Sequence, residues 1–478
     1  MNYRLTAKVV GISLLTEAGL LLIPLLVAFL YHESVVGFAI TIALLLLCGG
    51  ILVRLKIHSR EIYAREGFAA VALTWVLLSA FGALPFVLEG AIPNYFDAFF
   101  ETVSGFTTTG ASILTDVEAV PRGLIFWRSF THWIGGMGVL VFIMAILPLS
   151  EQQSMHIMRA EVPGPQVSKL VPKLRSTAAI LYRIYIFLTL IETGLLLLGG
   201  MSLFDALVHA FGTAGTGGFG IWNTSVGYYN SAYIDVVIGV FMVLFAMNFN
   251  LYFFLLLRQW RSFFKNEELH WFLGIVTAST LLIAANIHAL FPNFLQSLRY
   301  AFFQVSSIIS TTGYATTDFS LWPQFSRCIL ILLMFIGGCA GSTGGGIKVS
   351  RCILLVKSVA REMHQLLHPR SMRKLTLEGK PVPDATIHST LVFFAAYMVV
   401  LIASVLLVSL DGVDFTSTFT AVLSCLSNIG PGLDAVGPAG NFSIFSNANT
   451  LLLSLDMLLG RLEIFPMLLL FTAFKKRG

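Results

Sequence analysis

The chain reads as an all-α polytopic membrane protein. Four pseudo-symmetric modules, each a span, a short helix, an extended strip and a second span, are expected around one pore, plus two extra N-terminal spans. Three observations predict this. Hydrophobic residues make up 56% and charged residues only 12%, about half the usual soluble share. Apolar runs of about 20 residues, the length a bilayer-spanning helix needs, recur along the whole chain. A strip rich in threonine and glycine occurs four times in one register.

The first strip is Ser104-Gly105-Phe106-Thr107-Thr108-Thr109-Gly110-Ala111. The others run from Gly212 through Thr216, Gly217 and Gly218 to Phe219, from Ser307 through Thr311, Thr312 and Gly313 to Tyr314, and from Ser424 through Asn428, Ile429 and Gly430 to Pro431. Each begins with a small residue and has a glycine six positions later. Each follows a short apolar segment at one offset: 98 to 110, 206 to 218, 301 to 313, 418 to 430. A single strip carries little information, because glycine and threonine in membranes also serve close helix packing. Four in register point to a repeated module.

Taken in order, residues 6–31 and 35–54 are two spans joined at His32-Glu33-Ser34. The run 9–30 is too long for a signal-peptide core, and no small-residue cleavage site follows it, so it is expected to be retained. The first repeat is 66–89, 94–107, 107–112 and 121–149; the second is 177–200, 203–215, 216–220 and 230–258. The third is 267–291, 296–310, 311–315 and 323–358; the fourth is 387–411, 414–427, 428–432 and 447–474. The expected units are therefore 1–58, 59–152, 153–262, 263–386 with a broken inner helix and a hairpin, and 387–478. This gives ten full spans and four segments too short to cross. Non-helical backbone at membrane depth must be buried or line a cavity. Four strips facing one another around one axis satisfy that requirement.

Charge fixes the orientation. All but five of the 30 Lys and Arg residues fall on one set of connections, the exceptions being Arg122, Arg128, Arg299, Arg327 and Arg461. Both termini are accordingly expected in the cytoplasm, with the strips opening outward beside Glu33, Glu89, Asp116, Glu118, Asp318, Asp411, Asp414 and Asp434. Those acids either concentrate cations or are solvated loop residues. The formal charge of +5 reflects this sidedness rather than a nucleic-acid partner. The five cysteines lack metal-ligand spacing and are expected as reduced, packed thiols.

A potassium ion entering a narrow pore must exchange water for other oxygens. Consecutive carbonyls supply them where the backbone adopts dihedrals that glycine reaches at little cost. Gly110, Gly218, Gly313 and Gly430 are expected at the narrowest ring, with Thr108, Thr216, Thr311 and Asn428 adding oxygens below. Rings of four carbonyls are the arrangement used in potassium channels. The short helices would direct their negative C-terminal ends at the cavity. Thr109, Gly217, Thr312 and Ile429 precede the glycines and differ among repeats, so a short filter with one or two good potassium sites is expected.

The chain resembles the Trk/Ktr/HKT superfamily, in its bacterial TrkH-type potassium uptake branch. Besides the strips, the resemblance rests on Arg65-Glu66-Gly67-Phe68, Trp133-Ile134-Gly135-Gly136-Met137-Gly138, Arg159-Ala160-Glu161-Val162-Pro163-Gly164-Pro165, the run Gly337 to Lys348, and Gly460-Arg461-Leu462-Glu463. It spans essentially the whole chain, and the N-terminal span pair favours the TrkH branch. It implies a bacterial inner-membrane location, a homodimer, a TrkA-like ring of RCK-type nucleotide-binding regulatory subunits, and no organic cofactor in this chain. Glycine at position 110 looks like the potassium type, since relatives with serine there favour sodium.

Gly337 to Lys348 includes Gly341, Ser342, Thr343, Gly344, Gly345 and Gly346. Its glycines each cost a helix about 1 kcal/mol against alanine, which predicts a broken helix with a flexible loop under the filter. A phosphate loop is excluded by spacing, because Ile347 separates Gly346 from Lys348. The resemblance implies that this loop is an intramembrane gate. Arg461, deep in the last span, should face a cavity or a partner: either an internal ion pair with Asp456 or Glu463, or the positive barrier that the resemblance implies. His364 and His368 stand at i, i+4 without a third ligand. The stretch 359–386 reads as a cytoplasmic interfacial helix and hairpin, and with 151–172 it is where a regulator would dock.

The competing reading is a secondary transporter coupling potassium to protons or sodium, with Asp97, Glu101 or Glu192 carrying the proton. Parallel repeats around one axis favour a pore over the inverted repeats of alternating access. No sizeable soluble domain, nucleotide motif or Ser/His/Asp grouping points to an enzyme.

Overall fold

The computed structural model describes residues 3–56, 64–138, 174–370 and 374–473. The Arg159–Pro165 motif, the whole 151–172 connection and the unit boundaries at 58/59 and 152/153 lie outside the described residues. Within them the fold is helical, apart from one short antiparallel hairpin, Thr376–Leu377 with Lys380–Pro381. It sits where the sequence places it, after the amphipathic helix Val349–Leu367.

The N-terminal pair is Tyr3–Leu30, interrupted at Leu21, and Val36–Val53. Small residues let the two backbones approach: a Cβ on Gly49 would lie 2.9 Å from the Gly11 carbonyl oxygen. This pair also organises the first repeat. Glu33 accepts from the N–H groups of Arg122 (2.7 Å) and Gly123 (2.8 Å), satisfying the start of the first inner helix.

Each repeat has an outer helix, a half-helix and an inner helix. The outer helices are Glu66–Leu88, Ala178–Leu198, Glu267–Leu290 and Asp384–Asp411, all long and apolar enough to span. The half-helices are Tyr95–Phe106, Leu203–Gly215, Phe294–Ile309 and Phe415–Ser427. At 12, 13, 16 and 13 residues they are too short to cross. Their bounds fall within two residues of the sequence expectation.

The inner helices are shorter or broken. Among the described residues six helices are long and apolar enough to span, or seven with one bent pair, because the inner segments counted among the ten expected spans are short or broken. The first inner helix, Arg122–Gly136, closes at Gly136, and residues 139–149 lie outside the described residues. The second breaks between Ala232–Ala246 and Phe249–Leu256, with a 92° bend. The third breaks between Gln324–Ile336 and Val349–Leu367, as the glycine run predicted. The fourth breaks between Asn447–Arg461 and Phe465–Ala473. The second break carries no glycine or proline. It occurs because Asn248 accepts from the Asn250 N–H (3.0 Å), starting a new helix, while the Phe249 N–H donates to the Gly341 carbonyl (3.1 Å) of the third repeat's loop. At the fourth break, Glu463 and Ile464 take positive φ of 54° and 64°.

Candidate functional site

The four half-helices are built alike. Each starts at a polar N-cap: Asn94, Ser202, Asn293 and Asp414 accept from Phe96, Asp205, Gln296 and Ser417 N–H groups. Each ends the same way. The N–H of the residue before the key glycine (Thr109, Gly217, Thr312, Ile429) donates to the carbonyl of the strip's first small residue (Ser104, Gly212, Ser307, Ser424), at 2.9, 2.8, 2.9 and 3.0 Å. This is the six-to-one bond of a Schellman ending. It places Thr108, Thr216, Thr311 and Asn428 in the left-handed region, with φ of 56°, 57°, 60° and 55°. Asparagine adopts that region readily; threonine is strained there by about 1–2 kcal/mol.

The key glycines follow, with φ of 81°, 76°, 89° and 103° at Gly110, Gly218, Gly313 and Gly430. Close approach also requires glycine here. A Cβ on Gly110 would run into the Gly217 carbonyl oxygen, one on Gly218 into Thr312, one on Gly313 into Ile429, and one on Gly430 would lie 2.8 Å from the Thr109 carbonyl oxygen. Each carbonyl belongs to the residue just before the next repeat's key glycine. The strips therefore succeed one another in chain order and close into a ring. A cavity of about 160 Å³ lies against this ring, lined by all four glycines together with Ala111, Phe219 and Pro431.

The side chains around the ring differ while the backbone repeats. The His132 ring occupies the place of a Gly217 side chain. Thr109 Oγ1 is paired with Thr107 Oγ1 (2.7 Å) and accepts from Asn428 Nδ2 (2.9 Å). Thr312 Oγ1 is paired with Ser310 Oγ (2.7 Å). After the glycines, Ala111, Phe219 and Tyr314 are buried. The Tyr314 hydroxyl lies 3.1 Å from the His209 carbonyl and 3.2 Å from that of Phe219, in the space a Gly212 side chain would take. Pro431 packs beside Gly313.

The glycine-rich loop lies against the inner ends of the third and fourth half-helices. The Gly345 N–H donates to Thr311 Oγ1 (2.7 Å), and Cβ atoms on Gly344 and Gly345 would meet the Ser310 and Ser427 carbonyls. Thr343 Oγ1 donates to the Phe245 carbonyl (3.2 Å) and Ser342 Oγ to that of Cys339 (2.7 Å). Lys348 Nζ donates to the Gly344 carbonyl, closing the loop on itself. Gly341 and Gly346 take positive φ of 73° and 75°. Glu268, absent from the sequence reading, fixes both flanks: one carboxylate oxygen accepts from Ala340 N–H (2.7 Å) and Ser350 N–H (3.1 Å). Ser342, Thr343, Ile347 and Lys348 are buried, so the expected flexible loop is a packed plug.

Arg461 joins loop to strip. Its guanidinium donates to Thr108 Oγ1 (3.2 Å), the Thr343 carbonyl (2.8 Å), the Gly136 carbonyl (2.8 Å) and the Gly135 carbonyl. Glu463, one expected counter-charge, pairs with Arg351 at 2.7 Å, and Asp456, the other, accepts from Ser404 Oγ (2.8 Å). Thr108 and Thr311 hydroxyls, expected to supply oxygens below the ring, thus accept from the arginine and the loop. Two buried basic side chains, Lys348 and Arg461, stand near the negative ends of the half-helices.

Several outer acids have structural jobs. Glu89 accepts from the Gly37 N–H (2.5 Å), and Asp434 pairs with Arg327 (3.0 Å). The side-chain amide of Asn223 holds the Asp116 carboxyl below its ordinary value, and the Ser417 N–H does the same for Asp414. Among the described residues no three His, Cys, Asp or Glu side chains group as a metal site, and His364 and His368 only face each other, 4.7 Å between rings.

Comparison with known proteins places this architecture. The family model "TrkH: Cation transport protein" matches residues 34–476. The chain is 38% identical to the Trk system potassium uptake protein TrkH of Salmonella typhimurium and 37% identical to that of Escherichia coli K12, each over 99% of both chains. It is 34% identical to the Escherichia coli K12 protein TrkG over 94% of both. The crystal structure of the potassium transporter TrkH from Vibrio parahaemolyticus superposes with a TM-score of 0.89 at 34% identity, covering 99% of this chain and 100% of that one.

Proposed function

The chain belongs to the TrkH family of cation transport membrane proteins, and from that premise we propose that it takes up potassium through the central ring, by a channel-like pore. Gly110, Gly218, Gly313 and Gly430 and the carbonyls around them form the selectivity filter. The loop 337–348, with Lys348 and Arg461, is the gate. The observation that carries this reading is the closed succession of the four strips, each glycine giving way to the next strip's carbonyl. A ring of backbone oxygens replaces an ion's water without an acidic side chain. The half-helix C-termini add partial negative charge, and the Arg461 guanidinium beneath opposes it until the loop moves.

The protein is multi-pass, and the location we assign is the bacterial inner membrane with both termini cytoplasmic, on the strength of its basic connections. The helix Val349–Leu367 runs from the loop to the hairpin, so a cytoplasmic nucleotide-binding ring that moved this helix would pull on the gate. The working assembly we assign is a homodimer of this chain with such a ring; the relatives' name, Trk system potassium uptake protein, supports a system of several components.

The test is the reversal potential of purified protein in liposomes, under a potassium gradient and then a sodium gradient. Reversal at the potassium potential, unmoved by pH, is expected. Reversal that shifts with pH or with a second cation refutes the pore and returns the coupled transporter, with Glu192, buried on the second outer helix, as its next target.

A further inference from the structure

We propose that the buried ion pair Glu101–Arg128 positions the first two strips and thereby sets the filter's preference for potassium over sodium. This rests on the filter reading above.

Glu101 lies on the first half-helix and Arg128 on the first inner helix, 1% and 4% exposed. They meet at 2.5 Å. Glu101 also accepts from Ser112 Oγ (3.1 Å) and the Ile113 N–H (2.8 Å), just past Gly110. Arg128 donates to the Gly220 carbonyl (3.2 Å), and its guanidinium lies 3.5 Å from the Phe219 ring centroid, just past Gly218. One pair therefore holds the outer exits of two adjacent strips.

The repeats show why this pair is more than a generic tie. The residue nine before the key glycine is Glu101, His209, Gln304 and Ala421 in turn. In the third repeat Gln304 Nε2 reaches Thr316 Oγ1 (3.4 Å). In the fourth, Thr420 Oγ1 accepts from the Leu433 N–H (2.9 Å). Neutral ties thus suffice at two exits. Burying two charges is costly unless their geometry is well satisfied, so an ion pair at the first exit requires a local reason. The second strip supplies one. It reads Gly215-Thr216-Gly217-Gly218-Phe219-Gly220 and has the least intrinsic stiffness of the four. Phe219 and Gly220, the groups that end it, are the ones Arg128 holds. Selection between potassium and sodium by carbonyl number and field requires those carbonyls to keep their places.

The experiment measures potassium and sodium reversal potentials in liposomes for Glu101→Gln and Arg128→Lys, using protein that elutes as the parent does. Glu101→Gln keeps the shape and loses the charge; Arg128→Lys keeps the charge and loses the planar fork. Losing one charge-assisted bond corresponds to about a tenfold or larger change in a ratio, so each variant should lower the potassium-to-sodium permeability ratio about tenfold. Asn266→Ala removes the cap of the third outer helix, whose side chain accepts from the Leu269 N–H (2.7 Å), and should lower thermal stability while leaving the ratio unchanged. An unchanged ratio in folded Glu101→Gln overturns the proposal, as does an equal fall in Asn266→Ala. If Glu101→Gln is not recovered folded, Arg128→Lys carries the same test. Gly110→Ser is run in parallel: if it too leaves the ratio unchanged, the filter reading has failed and the brace falls with it.

Discussion

Replacing Arg461 separates two ways in which it could hold the pore shut. In the structure the guanidinium bridges three elements: Thr108 in the first strip, Thr343 in the loop, and Gly135 and Gly136 at the end of the first inner helix. Arg461→Ala deletes the loop contact at Thr343. A hydrogen bond to a charged group contributes about 1.5–3 kcal/mol. At 1.4 kcal/mol per tenfold, the equilibrium between shut and open loop should shift toward open by about 10- to 150-fold. The freed Gly135 and Gly136 carbonyls end a helix and can accept from water in the emptied space. The assay is rubidium flux into liposomes at matched protein density, with elution profile and thermal stability as folding controls. Arg461→Lys then discriminates. A point charge without the planar fork preserves an electrostatic barrier but not the three-way bridge. If Lys behaves like Arg while Ala leaks, the barrier dominates; if both leak, the bridge does. Folded Arg461→Ala with parental flux would refute a role for Arg461 in the gate.

Three further outcomes are expected. Gly110→Ser introduces a Cβ where the Gly217 carbonyl oxygen stands, so discrimination against sodium should weaken; unchanged reversal potentials count against the filter. Deleting part of 341–346 removes the plug beneath the strips and should raise resting leak, measured as flux without any added partner; a deletion that folds and conducts like the parent sinks the gate assignment. Asp414 caps the fourth half-helix, and its carboxyl is held below the value of 3.8 by the Ser417 N–H. A depressed folded value means the cap contributes fully above the unfolded value and is lost as pH falls through the lower, folded one. Thermal stability should therefore drop on acidification below about pH 4. Asp414→Asn, which keeps an accepting oxygen, should flatten that part of the profile.

Local signals carried much of this fold. The strips share one register because each half-helix needs the same ending: a small residue, a left-handed residue and a glycine, set by bonds within eight positions. The broken third inner helix was legible from Gly337–Gly346, since glycine weakens a helix wherever it occurs. Tertiary structure alone decided the rest. Nothing in Ala246-Met247-Asn248-Phe249 forbids a continuous helix; the break exists because the Phe249 N–H finds the Gly341 carbonyl, 92 positions away by residue number. Arg461 was expected either to pair with Asp456 or Glu463 or to stand as a positive barrier under the filter; which groups hold it was not legible, and its hydrogen bonds include one to Thr108 and three to backbone carbonyls of the first and third repeats. Carbonyl acceptors have no signature in sequence, because every residue carries one. The pairing of Glu101 with Arg128 was equally hidden: each was visible as a charge in an apolar run, but only the packing of half-helix against inner helix brings them together. The sequence by itself determined the repeated module and the glycines at its centre. The closing of the ring, the seating of the loop beneath it and the partners of its buried charges depend on contacts between distant repeats, which only the folded chain creates.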